Sequence, residues 1–209
     1  MDYRIISIGT LSNHELWERK APPRTPHATT TLVRSGEKVI LVDPGLPPQA
    51  IAARLTERSG LSPHDVTDVF LTTFRPAHRA GLAAFAHCNW LIFEREREAV
   101  GRYLVEQFQN APDDEVREHI KKDIETLQRF KNAPDKLADN VDLFPSPGYT
   151  PGSCGLLLTT PNRTTLVAGD AVATEEHLSK GRVLKGAYDA ELAVESLKEA
   201  IEIADVIVP

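Results

Sequence analysis

Cysteine is nearly absent from this chain of 209 residues, and the two that occur, Cys88 and Cys154, lie far apart with no Cys-x-x-Cys spacing. That excludes a disulfide framework or a zinc ribbon and leaves two buried free thiols in a reducing compartment as the expectation. Long apolar runs are missing as well: none approaches the ~18 residues a membrane span requires. The start, Met1-Asp2-Tyr3-Arg4-Ile5-Ile6, lacks the basic opening and apolar core of a signal peptide, so a cytoplasmic protein with no membrane partner is expected. Positive charge is in deficit. A net charge of −6 and a pI near 5.7 argue against a nucleic-acid partner, which would need clustered Lys and Arg. There is no Gly-x-Ser-x-Gly elbow, no Gly-x-x-x-x-Gly-Lys phosphate loop and no Gly-x-Gly-x-x-Gly fingerprint. Nucleotide hydrolysis and dinucleotide redox chemistry lose their usual signatures with them.

What is present is enough apolar residue for one well-packed domain, 1–209, and a chain rather short for two. Residues 39–42, Val-Ile-Leu-Val, read as a buried strand closed by Asp43-Pro44-Gly45, with 29–34 as its hairpin partner across Ser35-Gly36. A helix is expected at 49–58, strands at 66–71 and 90–93, and a small apolar helix at 81–85. From about 94 to 138 the chain turns long, charged and helical, with Val116, Ile120, Ile124, Leu127 and Phe130 recurring every three or four residues. Asn110-Ala111-Pro112 breaks this stretch into two helices. Strands resume at 141–144, 155–159 and 164–167, followed by a helix at 189–204 and a strand at 205–209.

Four separated motifs stand out along this path. They are Leu41-Val42-Asp43-Pro44-Gly45; the loop Thr72-Thr73-Phe74-Arg75-Pro76-Ala77-His78-Arg79-Ala80-Gly81; the turn Ser146-Pro147-Gly148-Tyr149-Thr150-Pro151-Gly152-Ser153; and Leu166-Val167-Ala168-Gly169-Asp170. In their order the chain resembles the metallo-β-lactamase superfamily over nearly its whole length. The resemblance implies an α/β fold, the four-layer αββα sandwich, here carrying a helical insertion at about 94–138. It also implies kinship with metal-dependent hydrolases, whose loop reads Thr-His-x-His-x-Asp-His and whose later turn carries a ligand His.

In this chain those ligand positions fall on Thr73, Arg75, Ala77, His78, Tyr149 and Asp170, and a last one would fall just beyond Pro209. Only His78 and Asp170 keep ligand chemistry. Two protein donors are fewer than the three that catalytic zinc sites use, so no metal is expected. The alternative is one zinc, iron or manganese ion held by His78 and Asp170 in a reduced hydrolase site. Asp43 is expected to support the loop as a turn cap. Arg75 suggests a buried ion pair with Asp170 that replaces the metal's charge. His78 reads either as a former ligand or as a loop histidine bonded to backbone, and Tyr149 as a hydrogen-bond donor into the cleft or a packing residue. The leading functional expectation is a non-catalytic binding or regulatory domain with a small-molecule ligand in the old cleft. A homodimer through the helical insertion is the third reading.

Overall fold

In the computed structural model, which describes residues 1–13, 16 and 22–209, two β-sheets pack face to face between helices. The first sheet takes its strands in chain order: β1 Asp2–Ser7, β2 Thr30–Ser35, β3 Lys38–Val42, β4 Asp68–Leu71, β5 Asn89–Ile92 and β6 Lys131–Asn132. The first three pair antiparallel, and from β3 onward every pairing is parallel. The second sheet has β7 Lys136–Ala138, β8 Val141–Pro145, β9 Cys154–Thr160, β10 Arg163–Val167 and β11 Val206–Val208. It is antiparallel except for the final β10/β11 pair. The helices are α1 Pro48–Ser59, α2 Pro76–Arg79, α3 Glu94–Gln109, α4 Asp114–Gln128, α5 Glu175–Lys180 and α6 Ala190–Ile203.

Side-chain alternation along the strands divides the core into layers. Val33, Ile40, Val42 and Phe70 point from the first sheet against Val141, Leu156, Leu158 and Val167 of the second. Leu32, Leu41, Val69 and Ile92 point the other way, onto Ile51 and Leu55 of α1, Leu104 of α3 and Leu127 of α4. On the outer face of the second sheet, Leu166 meets Leu197 and Ala200 of α6. This is the αββα order that the motifs imply. Each fully buried Leu, Ile or Phe in it contributes about 1.5–3 kcal/mol relative to exposure.

Several local expectations need correction. The charged stretch stays helical only to Gln128; residues 131–132 and 136–138 are strands, so the insertion ends near 129 and the last part of 94–138 closes the two sheet edges. Where the expected break falls, α3 ends at Gln109 and the Asp113 carboxylate accepts from Val116 N at 2.8 Å to start α4. The apolar piece at 81–85 is a 3-10 turn, Leu82–Phe85. Strand β1 and helix α5 have no counterpart in the sequence reading: β1 is an edge strand with one buried residue, Ile6, and α5 is a short helix set off by the Thr174 cap. Among the described residues no helix is long and apolar enough to cross a membrane.

The parallel strands determine where the chemistry gathers. Asp43 follows β3, the loop from Thr72 follows β4, the turn 146–153 joins β8 to β9, and Asp170 follows β10 in a 3-10 turn, Gly169–Ala171. All lie at one rim of the sandwich, where Cys154 N donates to Thr72 O at 3.0 Å and ties the two sheets together. Sites beyond the carboxyl ends of parallel strands are a general property of such sheets, because the loops there are free to vary.

Candidate functional site

Asp43 leaves β3 with φ +50, an uncommon backbone for a non-glycine residue and one held by hydrogen bonds on every side. Its N–H donates to Phe70 O (3.0 Å), its carbonyl accepts from Thr30 Oγ1 (2.7 Å), and its buried carboxylate accepts from Thr72 N (2.9 Å) and Thr72 Oγ1 (2.6 Å). The expected support of the loop is therefore its geometric role, and it does more. Pro76 opens the single turn of α2, which carries His78 inward to 3% exposure. His78 Nδ1 lies 2.9 Å from Asp43 Oδ2, and Nε2 lies 3.1 Å from Asp170 Oδ2.

One imidazole thus bridges two carboxylates. Burial disfavours its charged form, but Asp170 and Asp43 outweigh burial and raise its pKa to about 10, so His78 is an imidazolium at neutral pH. For Asp170, burial alone would raise the carboxyl. The His78 cation and its hydrogen bond, with help from Arg75, hold it below the ordinary 3.8 instead. Gly169, at φ +55, makes this approach feasible: a Cβ there would lie 2.5 Å from Thr72 Oγ1. The reading of His78 as a backbone-bonded loop histidine is not what the structure contains.

The expected Arg75–Asp170 ion pair forms at the limit of contact, and it is not buried. Arg75 Nε stands 4.0 Å from Asp170 Oδ2 with 46% of its side chain exposed, and His78 occupies the closer position. The guanidinium instead stacks on Tyr149, with Cζ 4.5 Å from the ring centroid. Tyr149 rides on a turn fastened from two directions. Gly148, at φ +130, and Gly152 pack so closely that a Cβ would fall 2.2 Å from Ala193 N and 2.1 Å from Glu96 N. Asp189 N donates to Gly148 O (2.9 Å), Tyr188 N to Tyr149 O (3.1 Å) and Ser196 Oγ to Pro147 O (2.6 Å). Burial and the nearby Asp170 charge push the Tyr149 phenol upward, against the opposing pull of Arg75.

Glu96 is the residue that sequence reasoning missed. It sits in the run Glu94-Arg95-Glu96-Arg97, which reads as a solvated helix face, yet it is wholly buried. Its carboxylate accepts from Phe74 N (3.1 Å), Thr150 Oγ1 (2.7 Å) and Gly152 N (3.2 Å), joining the loop and the turn. Burial pushes its carboxyl up, and those three hydrogen bonds oppose the shift. The one available signal was its place in the first turn of a helix, where a carboxylate is favoured.

A cleft of about 560 Å³ opens over these groups, lined by Arg75, His78, Tyr149 and Asp170, with Asp43 and Ala77 also reaching it. Ala77 contributes a methyl, and its carbonyl accepts from Ala28 N at 2.9 Å. Thr73 does not line the cleft; it is buried, and its Oγ1 has no hydrogen-bond partner among the described residues. His27, which carries no ligand spacing, is brought to the same cleft by the bridge between Thr10 and His27. His119 lies exposed on α4, and His177 is buried in α5.

The donor set does not fit the metal centre that the fold implies. Among the described residues, no three His, Cys, Asp or Glu side chains converge as a ligand group. A guanidinium beside Asp170 offers no lone pair and repels a divalent cation.

No curated protein matches the chain. Among solved structures it is similar to AidC, a dizinc quorum-quenching lactonase, at 21% identity over 83% of this chain and 67% of that one, with a TM-score of 0.66. It is similar to B. thuringiensis AiiA, solved with N-decanoyl-L-homoserine at its active site, at 21% identity over 96% and 86% of the two chains, TM-score 0.66. A candidate metallo-β-lactamase from Thermotoga maritima shares 19% identity over 99% and 94%, TM-score 0.67. These likenesses concern the fold, and the sequence itself carries the assignment: the family model matches residues 24–206, and the chain belongs to the metallo-β-lactamase superfamily.

Proposed function

We propose that residues 1–209 act as one unit that binds a small molecule in the Arg75 cleft and serves as a binding or regulatory domain, not as a metal-dependent hydrolase. The observation that carries this reading is the His78 ring seated between Asp43 and Asp170 at 2.9 and 3.1 Å, both its nitrogens taken up by carboxylates. In the hydrolases of this fold, metal lowers the pKa of bound water from ~15.7 toward ~7 and so supplies the nucleophile. Here His78 is shared between the two carboxylates, and at two of the ligand positions that the resemblance implies stand Arg75 and Ala77, neither of which offers a lone pair.

The test is metal content by plasma mass spectrometry after expression with zinc, iron and manganese supplied, together with turnover of N-acyl homoserine lactones. The lactones are chosen because AidC is described as a lactonase. Protein far below one metal per chain with no turnover is the expected result. One metal per chain, lost in His78→Ala, together with lactone hydrolysis abolished by Asp170→Asn, would return the chain to the hydrolases. A dimer through the insertion draws support from Tyr103 and Val105, 59% and 50% exposed on α3. Mass measured by size exclusion across concentrations decides it.

A further inference from the structure

We infer that the ligand of this cleft is a carboxylate carried on an apolar chain or ring, its head gripped by Arg75 and its tail laid along the Ile8 side; this rests on the reading of the cleft as a binding site. Arg75 is held from two sides. Its Nε lies 4.0 Å from Asp170 Oδ2, beyond hydrogen-bond length, and its Cζ lies 4.5 Å from the ring centroid of Tyr149, whose side chain also hydrogen-bonds the guanidinium. The remaining N–H groups have no carboxylate partner among the described residues. A guanidinium held between an aromatic ring and an acid, with 46% of its side chain exposed, keeps N–H groups open to the cleft as a fork. That fork matches the two oxygens of a carboxylate.

Asp170 does not need Arg75 to itself, because His78 Nε2 already meets it at 3.1 Å. A second carboxylate can therefore share the guanidinium without leaving Asp170 unpaired. The backbone at Tyr149 is fastened to the starts of both α3 and α6 through Gly152 and Gly148, which fixes the point from which the ring reaches Arg75.

The rest of the lining supplies the tail site. Ile8, Leu11, Val167 and Leu184 line the same cleft, and Ile8 is 79% exposed, an apolar side chain left in water at its edge. Covering such a side chain with a hydrocarbon releases ordered water and favours binding in proportion to the area covered. A space of about 560 Å³ is of the size that holds a small amphiphile.

Calorimetric titration of the full chain with butyrate, octanoate, octanamide and octylamine tests this. Octanoate is expected to bind, with affinity rising about fourfold per methylene from butyrate where the tail is buried. Octylamine should give no binding heat. Arg75→Ala, and equally Arg75→Lys, which keeps the charge but loses the fork, should weaken octanoate by about tenfold or more, with an unchanged melting curve showing that the fold is intact. Octylamine or octanamide binding as tightly as octanoate would overturn the carboxylate head. Octanoate affinity unmoved by both Arg75 variants would overturn it too, and so would the absence of heat with all four compounds. Metal analysis of the same sample separates the two levels. Octanoate binding that vanishes when a chelator strips a bound metal sinks the binding-domain reading, whereas octanamide preferred by metal-free protein sinks only the ligand class.

Discussion

Replacing His78 with alanine removes the cation that stands between two buried carboxylates, and an uncompensated charge in that position costs about 3–5 kcal/mol. A urea titration should show a large drop in the unfolding midpoint. Arg75→Ala should cost about 1 kcal/mol or less, because its side chain is 46% exposed and its contact with Asp170 is 4.0 Å. Equal losses in the two variants would contradict this division. Titration gives an independent check. The folded-state pKa of His78 is raised from 6.5 to about 10, so its contribution is full below pH 6.5 and is lost as pH climbs toward 10. Asp170 is lowered from 3.8, so its contribution holds above that value and is lost as pH falls further. Thermal midpoints should therefore decline from pH 6.5 to 10, by up to about 5 kcal/mol in stability, and the decline should flatten in His78→Gln. The motifs made Asp43, His78, Tyr149 and Asp170 legible as neighbours. They did not reveal which cation meets Asp170. That depends on the single turn of α2, where Pro76 starts a helix that carries His78 inward and leaves Arg75 half in water.

At the scale of elements, the loop and the turn are held in register by the start of a helix. Glu96→Ala would leave Phe74 N, Gly152 N and the Thr150 hydroxyl without their acceptor, at about 1–3 kcal/mol for each buried group left unsatisfied. Hydrogen exchange should accelerate at the amides of Phe74 and Gly152, while the amides within β9 stay protected; unchanged exchange at both would dismiss the role of Glu96. Strands such as β3, β9 and β10 were readable because their apolar, β-branched runs are bounded by turn residues. The end of the insertion was not readable, because Lys131–Asn132 and Lys136–Ala138 are too short and too polar to carry a period-two signal. Glu96 escaped notice for a related reason: charge patterning identifies a helix surface and says nothing about which loop will cover it.

Across the whole molecule, the insertion is part of the core and of the site together. Leu104 and Leu127 pack into the first-sheet cluster, and Arg79 donates through Nε to Phe74 O (2.8 Å) while pairing with Asp123 of α4 (2.9 Å). Excising residues 94–129 should therefore abolish cooperative thermal unfolding followed by near-ultraviolet circular dichroism. A shortened chain that still melts sharply would mark the insertion as an appendage. The turn bearing Tyr149 has a different consequence. Its neighbours Gly148 and Gly152 lock the main chain against α6 and α3, so the path of residues 147–152 owes nothing to the side chain at 149. Position 149 is in effect a socket: the scaffold fixes its location and aim, and the residue plugged into it can be exchanged, tyrosine for histidine or the reverse, without refolding the rim around it.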